Sequence, residues 1–103
     1  MDDAIDTEST LELLADPYAR ELIHRLTDRP MSASELDERC SFSRTTVYRR
    51  LDELESAGLI AVSLELRRDG NHRRIYRNVI EELSISLSNQ GVTGHIRSVP
   101  QVG

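Results

Sequence analysis

Several residue types are rare or missing in this sequence, and each absence narrows what the chain can be. All 13 basic residues are arginine, tryptophan is absent, and the one cysteine, Cys40, cannot form a disulfide within the chain. A reducing compartment is the simplest setting for such a chain, so we predict a cytoplasmic location. No run of residues is apolar enough to span a membrane, and the acidic start from Met1 to Asp6 is unlike a secretory signal.

Motifs of catalytic and metal sites are missing as well. The chain has no glycine-rich phosphate loop, no nucleophile elbow and no carboxylate pair placed by a motif, so we predict neither enzymatic activity nor a cofactor. His24, His72 and His95 are scattered and form no pair one helical turn apart. Cys40 stands alone, whereas a soft metal requires several thiolates. We therefore predict no metal site, and a buried apolar role for Cys40.

The charge is strongly acidic and unevenly distributed. Eighteen acids against 13 arginines give a net charge of -5, a bias that resembles cytosolic proteins of extreme halophiles, particularly halophilic archaea, although an ordinary acidic protein could reach it by chance. Residues 1–42 carry a balance of -7, whereas residues 43–77 carry +3. Since nucleic-acid binders concentrate positive charge on one surface, the second segment is the candidate for such a surface.

A helix is predicted from Ser43 to Ala57, because Ser43 can cap its first amides and Gly58 can end it in the left-handed conformation. Apolar residues recur on one side of this helix at the spacing of a buried stripe. The opposite stripe is basic, hydroxylic and aromatic, which suits contact with phosphates and base edges in a major groove. It consists of Arg44, Thr45, Tyr48, Arg49 and Asp52.

Three shorter helices are predicted upstream, after a mobile acidic lead-in over residues 1–9. They run from a cap at Thr10 to Asp16, from Pro17 to about Asp28, and from a Ser32 cap to about Cys40. Only Ser41 and Phe42 separate the third helix from Ser43, the arrangement of a helix-turn-helix.

Downstream of Gly58 the pattern alternates, which indicates strands. One strand covers residues 60–66 with Ile60, Val62, Leu64 and Leu66 on its inner face, a turn covers 67–74, and a return strand covers 75–79. Residues 83–87 fit a strand better than a helix, with a turn at 89–91, a return over 92–96, and a frayed end at 98–103. The fold class is thus α+β: a winged helix-turn-helix over residues 10–79, with three to four helices and a two-stranded wing, followed by a possible dimerisation strand or hairpin at 80–97.

This order of elements resembles the winged helix-turn-helix transcription regulators of the ArsR-like group, including their halophilic archaeal members. The resemblance rests on Leu14-Ala15-Asp16-Pro17-Tyr18-Ala19-Arg20, on Leu22 to Leu26, and above all on Ser43-x-x-Thr46-Val47-x-Arg49-x-Leu51-x-x-Leu54-x-x-Ala57-Gly58-Leu59-Ile60. It implies a homodimer on double-stranded DNA, with helix 43–57 in the major groove and wing 67–74 at the minor groove or backbone. The implied DNA-binding residues are Ser43, Arg44, Thr45, Thr46, Tyr48, Arg49, Arg50, Arg68 and Arg73.

Plainer interpretations remain open for these residues. Arg49 and Arg50 could pair with acids along their own helix, and Tyr48 could lie back over the core. The wing arginines could only keep an edge hairpin soluble. The alternative function is a winged-helix protein interaction module that does not read DNA.

Overall fold

The computed structural model describes the backbone of residues 2–4 and all of residues 6–100. Four helices precede most of the strands. The elements in chain order are β1 (Asp2–Ala4), α1 (Thr7–Ala15), α2 (Pro17–Asp28), β2 (Met31–Ser32), α3 (Ala33–Arg39), α4 (Arg44–Ser56), β3 (Ile60–Glu65), β4 (Arg73–Asn78), β5 (Ile80–Ser88) and β6 (Gly91–Ser98). This is the predicted α+β winged helix-turn-helix, with β3 and β4 as the wing.

Local capping explains where the helices begin. The carboxylate of Asp16 accepts the Tyr18 amide, and Pro17 occupies the first turn of α2. α1 begins at Thr7 rather than at the predicted Thr10, because Asp6 supplies the cap by accepting the Ser9 amide. The hydroxyl-bearing Thr10 is instead buried inside the helix at 4% exposure.

The predicted mobile lead-in over residues 1–9 is wrong for most of its length. Residues 2–4 form β1, which pairs antiparallel with β6, and residues 7–9 belong to α1. The acidic composition suggested a mobile segment, but the hydrogen bonds of a β-ladder are made by backbone amides and carbonyls, which acidic residues also carry. At the other end, Ser98 completes β6 and the Val99 amide donates to the Val79 carbonyl, while the rest of the predicted frayed tail, 101–103, lies outside the described residues.

The strands form two antiparallel three-stranded sheets. In the wing sheet the order is β2-β4-β3, so the short β2, which the sequence analysis missed, adds a third strand by pairing Met31 with Tyr76. In the second sheet the order is β1-β6-β5. The predicted strand over 83–87 and its return strand are present as the β5–β6 hairpin, with Leu87 opposite Val92.

The hydrophobic core lies between the helices and the base of the wing. Its largest fully buried side chains come from α2, α3 and α4, namely Leu22, Leu36, Val47, Leu51 and Leu54. The inner face of β3 was predicted to extend through Leu64 and Leu66, and this is wrong: these side chains are 59% and 73% exposed. The wing extends beyond the helices, so nothing in the described residues covers its outer half.

α3, the first helix of the helix-turn-helix, begins with a capping box, in which Ser32 and Glu35 each accept a hydrogen bond from the other's backbone amide. Ser32 Oγ accepts the Glu35 amide at 3.2 Å, and Glu35 Oε1 accepts the Ser32 amide at 3.2 Å. Ser32 is buried, so water cannot replace its hydroxyl easily.

We predict that Ser32→Ala lowers the free energy of unfolding by about 1 kcal/mol, the usual cost of losing a helix cap. Ser34→Ala is the matched control, because Ser34 lies in the same turn but is exposed. Urea denaturation followed by circular dichroism measures both. Equal stability of the two variants would contradict the role of the cap.

Candidate nucleic-acid interface

The orientation of α4 follows from its cap and its buried stripe. Ser43 Oγ accepts the Thr46 amide at 3.2 Å, and Gly58, at a φ of +78°, allows the chain to leave the other end. Upstream, Phe42 in the turn stacks on Tyr18 of α2, with ring centroids 4.6 Å apart. Because Val47, Leu51 and Leu54 are buried, the opposite stripe must face solvent.

The exposed stripe contains most of the residues predicted to touch DNA. Arg44, Thr45, Tyr48 and Arg49 are all exposed, so Tyr48 does not lie back over the core. Arg44 Nε lies 3.2 Å from Asp37, yet its side chain keeps 68% exposure. Arg49 has no ion pair among the described residues, which leaves its guanidinium available to a partner.

The cap residues lie at the N-terminal end of this stripe. Ser43 is exposed and Thr46 is partly buried, and their hydroxyl oxygens are 2.9 Å apart. Both hydroxyls are thus engaged in starting the helix. A phosphate contact by either residue would have to share these hydrogen bonds.

Arg50 occupies a different environment from its neighbour Arg49. Its Nε donates to the carboxylate of Asp16, 34 residues earlier, and its Nη1 lies 2.6 Å from Glu53. These two carboxylates raise the pKa of Arg50, and only 23% of its side chain is exposed. The predicted DNA contact through Arg50 is therefore not supported by its placement, since the side chain ties α4 to the start of α2.

The arginines of the wing also differ in whether they form ion pairs. Arg73 Nε lies 2.9 Å from Glu65, and its Nη1 lies 3.9 Å from Glu35, so this predicted DNA-binding residue is already paired. Arg68 is exposed near the turn and has no ion pair in the described part of the chain. Arg74 is exposed as well, and alternation along β4 puts it on the face that carries the buried Tyr76.

A basic cleft lies between the wing and the helix-turn-helix. It has a volume of about 470 Å³ and brings Tyr48 of α4 together with three wing arginines. Its lining includes Ser32, Ser34, Tyr48, Arg67, Arg73 and Arg74. Arg67 and Arg74 were not among the predicted contacts, although the four arginines flanking the turn could have indicated them. The strand register was the missing information: it brings Arg73 Nε to 2.9 Å from Glu65, whereas Arg67 Nε lies 4.0 Å from the same carboxylate and keeps about half of its side chain exposed.

An ion-pair network sets the position of the wing against α3. Arg29 at the end of α2 lies 2.9 Å from Glu35, which in turn lies near Arg73 of β4. The pKa of the Glu35 carboxyl is lowered, first by the Ser32 amide and then by Arg29. Glu35 therefore stays ionised at neutral pH and serves both the helix cap and the wing.

The surface between α1, α4 and β6 is acidic, and it includes Asp52, which the sequence analysis grouped with the exposed stripe of α4. A cleft of about 980 Å³ between α1, α4 and β6 is lined by five carboxylates and one guanidinium, that of Arg50. These carboxylates belong to Asp6, Glu12, Asp16, Asp52 and Glu53. Because phosphates are repelled here, the charge distribution gives the domain one face suited to nucleic acid and one that is not.

Cys40 is buried, and burial together with the nearby Glu21 carboxylate raises the pKa of its thiol to about 11. No cluster of three or more potential metal ligands occurs in the residues that the structure describes. Over the same residues, none of the helices has the length and apolar character needed to cross a membrane.

Comparison with known proteins agrees with this geometry. Residues 14–63 match a family model described as a helix-turn-helix domain, a segment that runs from the end of α1 into β3 and includes α3 and α4. No curated protein matches the chain. Residues 14–63 are thus similar to a helix-turn-helix domain, a likeness that supports a DNA-binding transcription regulator.

We predict that Arg50→Ala lowers the free energy of unfolding by about 1 kcal/mol, because it leaves Asp16 and Glu53 without their shared cation in a partly buried site. Arg49→Ala is the matched control, since it removes the same side chain one residue earlier without breaking an ion pair. Thermal unfolding should separate the two variants. Similar losses for both, or none for either, would contradict the assigned role of Arg50.

Proposed function

We propose that the protein is a sequence-specific double-stranded DNA-binding transcription regulator that acts in the cytoplasm as a homodimer, of the ArsR-like kind that its sequence resembles. α4 enters the major groove, and the wing contacts the backbone or the adjacent minor groove. The observation that carries the proposal is the exposed, unpaired guanidinium of Arg49 beside Tyr48 and Thr45 on α4.

The side chains on α4 have the chemistry that base readout requires. An arginine can donate two parallel hydrogen bonds to guanine, and a threonine methyl or hydroxyl can contact a neighbouring base. Arg44 stays largely exposed although it meets Asp37, so it can exchange that carboxylate for a phosphate. Ser43 and Thr46, at the start of α4, would contact the DNA backbone while sharing the hydrogen bonds of the helix cap.

The wing adds positive charge on the same side. Arg68 and Arg74 supply it, while Arg73 holds the wing through Glu65 and Glu35. The wing contacts that we propose are therefore Arg68 and Arg74, with Arg67 at the cleft between wing and helix. Phosphate contacts of this kind fix the register of a protein on DNA without reading sequence.

A homodimer gives this small domain a second reading helix. Two copies of α4 related by a two-fold axis reach successive major grooves about one helical turn apart, so the operator should be an imperfect inverted repeat. The alternative, a protein interaction module, would present apolar or acidic groups on α4. The exposed arginines favour DNA instead.

We predict that Arg49→Ala weakens binding to the duplex selected by the wild type by roughly 1 to 3 kcal/mol and relaxes the preference for one base pair in each half-site. Fluorescence anisotropy with a set of single-base variants of the duplex measures both effects. Arg20→Ala is the control, because it removes the same charge from α2, where the side chain only donates to the Leu14 carbonyl. Unchanged affinity and unchanged preference in Arg49→Ala would sink this assignment.

We also propose that binding tolerates concentrated salt, as in a halophilic host. Counterion release contributes little when salt is already high, so specific binding in such a host would rest on the base contacts of α4 and on dimerisation. In a titration from dilute to molar potassium chloride, we predict a shallow fall in affinity and a retained sequence preference. Complete loss of specific binding well below molar salt would count against the halophilic interpretation and leave the DNA-binding proposal intact.

A further inference from the structure

The outer edge of β5 is open along its whole length. In the sheet order β1-β6-β5, β5 pairs with β6 on one side, and the described residues supply no strand for its other side. At nine residues β5 is also the longest strand described. Its edge therefore presents a row of unpaired backbone amides and carbonyls, a template for another strand.

This edge lacks the devices that usually block such pairing. Natural edge strands carry charged side chains, proline or a bulge, or are short. In β5 the bulge and the two charged residues, Glu81 and Glu82, are confined to the first three positions. The remaining six residues alternate serine with leucine or isoleucine and carry no charge.

One face of the β5–β6 hairpin is apolar from the hydrophobic core outward to positions that are exposed to solvent. Leu83 and Ile96 are paired and pack at the core. Farther along the same face, Ile85 is 40% exposed, Leu87 is 83% exposed and its partner Val92 is 48% exposed. A strand added at the open edge would lie directly beside Ile85 and Leu87, which belong to β5, and one strand away from Val92, which belongs to β6.

We infer that a second copy of this chain pairs with β5 edge to edge, antiparallel across a two-fold axis, so that the two β1-β6-β5 sheets join into one six-stranded sheet. This inference deepens the proposed function, since it rests on the homodimer and names its interface. Adding a strand to an open edge is an established mode of recognition, in which backbone hydrogen bonds provide affinity and alternate side chains provide specificity.

Self-complementarity identifies the occupant as a second copy. With Ile85 on the two-fold axis, Leu83 of one protomer lies opposite Leu87 of its partner, and Ser84 lies opposite Ser86. Directly opposite residues share a face in an antiparallel pair, so apolar groups meet apolar groups. Glu82 then lies opposite the uncharged Ser88, whereas a parallel pairing would align the acids of one copy beside those of the other.

The interface leaves the DNA-binding surface free. The exposed stripe of α4 and the arginines of the wing lie on the helix-turn-helix and on the β2-β4-β3 sheet, whereas β5 belongs to the other sheet. A dimer joined through the two β5–β6 hairpins therefore leaves α4 accessible in both protomers.

The test measures the mass of the full chain in solution by sedimentation equilibrium. Wild type is expected at twice the protomer mass of 11.7 kDa. Ile85→Arg places two guanidinium groups face to face on the axis, so its mass should fall by half. Val92→Arg is the matched control: Val92 shares the apolar face but lies on β6, away from the edge, so this variant should remain a dimer.

A cysteine variant tests the same register without added charge. Under mild oxidation Ile85→Cys should form a disulfide between protomers, since the axis brings the two residues together, whereas Val92→Cys should not; the native Cys40 is buried. This readout also applies if Ile85→Arg fails to fold, as judged by circular dichroism.

Three results would overturn the inference: a monomeric wild type, a dimeric folded Ile85→Arg, or loss of the dimer in Val92→Arg, which would indicate packing through the apolar face. DNA binding by the same proteins is measured separately, with a duplex that carries a single half-site. A wild-type dimer that fails to bind any selected DNA would contradict the proposed function while leaving the β5 interface intact.

Discussion

Burial of one stripe of α4 against the rest of the helical core is the constraint on which the other features depend. Val47, Leu51 and Leu54 have no exposed surface, and they can reach the core in only one rotation of the helix. That rotation brings Thr45, Tyr48 and Arg49 to the surface. The cap at Ser43 and the stacked pair of Phe42 and Tyr18 then set where the exposed stripe begins.

Ion pairing separates arginines that build the domain from arginines that can meet a ligand. Arg50 and Arg73 are each held by two carboxylates. Arg50 joins α4 to the start of α2, and Arg73 joins the wing to α3. Arg49 and Arg68 have no such partner within the described chain. In a protein with a net charge of -5, this division matters more than the total, because a cation that is already neutralised by carboxylates attracts phosphates less strongly than an unpaired one.

Features that depend on local chemistry were predictable from sequence. The cap of Ser43, the reciprocal cap of Ser32 with Glu35, and the hairpin of the wing all depend on residues that are close in sequence, and the structure contains each of them. Pairings between distant segments were not predictable. β1 and β2 owe their existence to strands more than 40 residues away in sequence, and no local pattern signals such short partners. The pairing of Arg50 with Asp16 and the exposure of Leu64 likewise depend on how the elements pack.

Selection of bound fragments from random-sequence DNA tests the central claim most directly, since it requires no knowledge of the natural operator. Run with the full chain in high salt, it should enrich an imperfect inverted repeat whose half-sites are about one helical turn apart, as two copies of α4 joined by a two-fold axis require. Enrichment of no sequence at all would contradict a DNA-reading role for α4 and favour a protein partner.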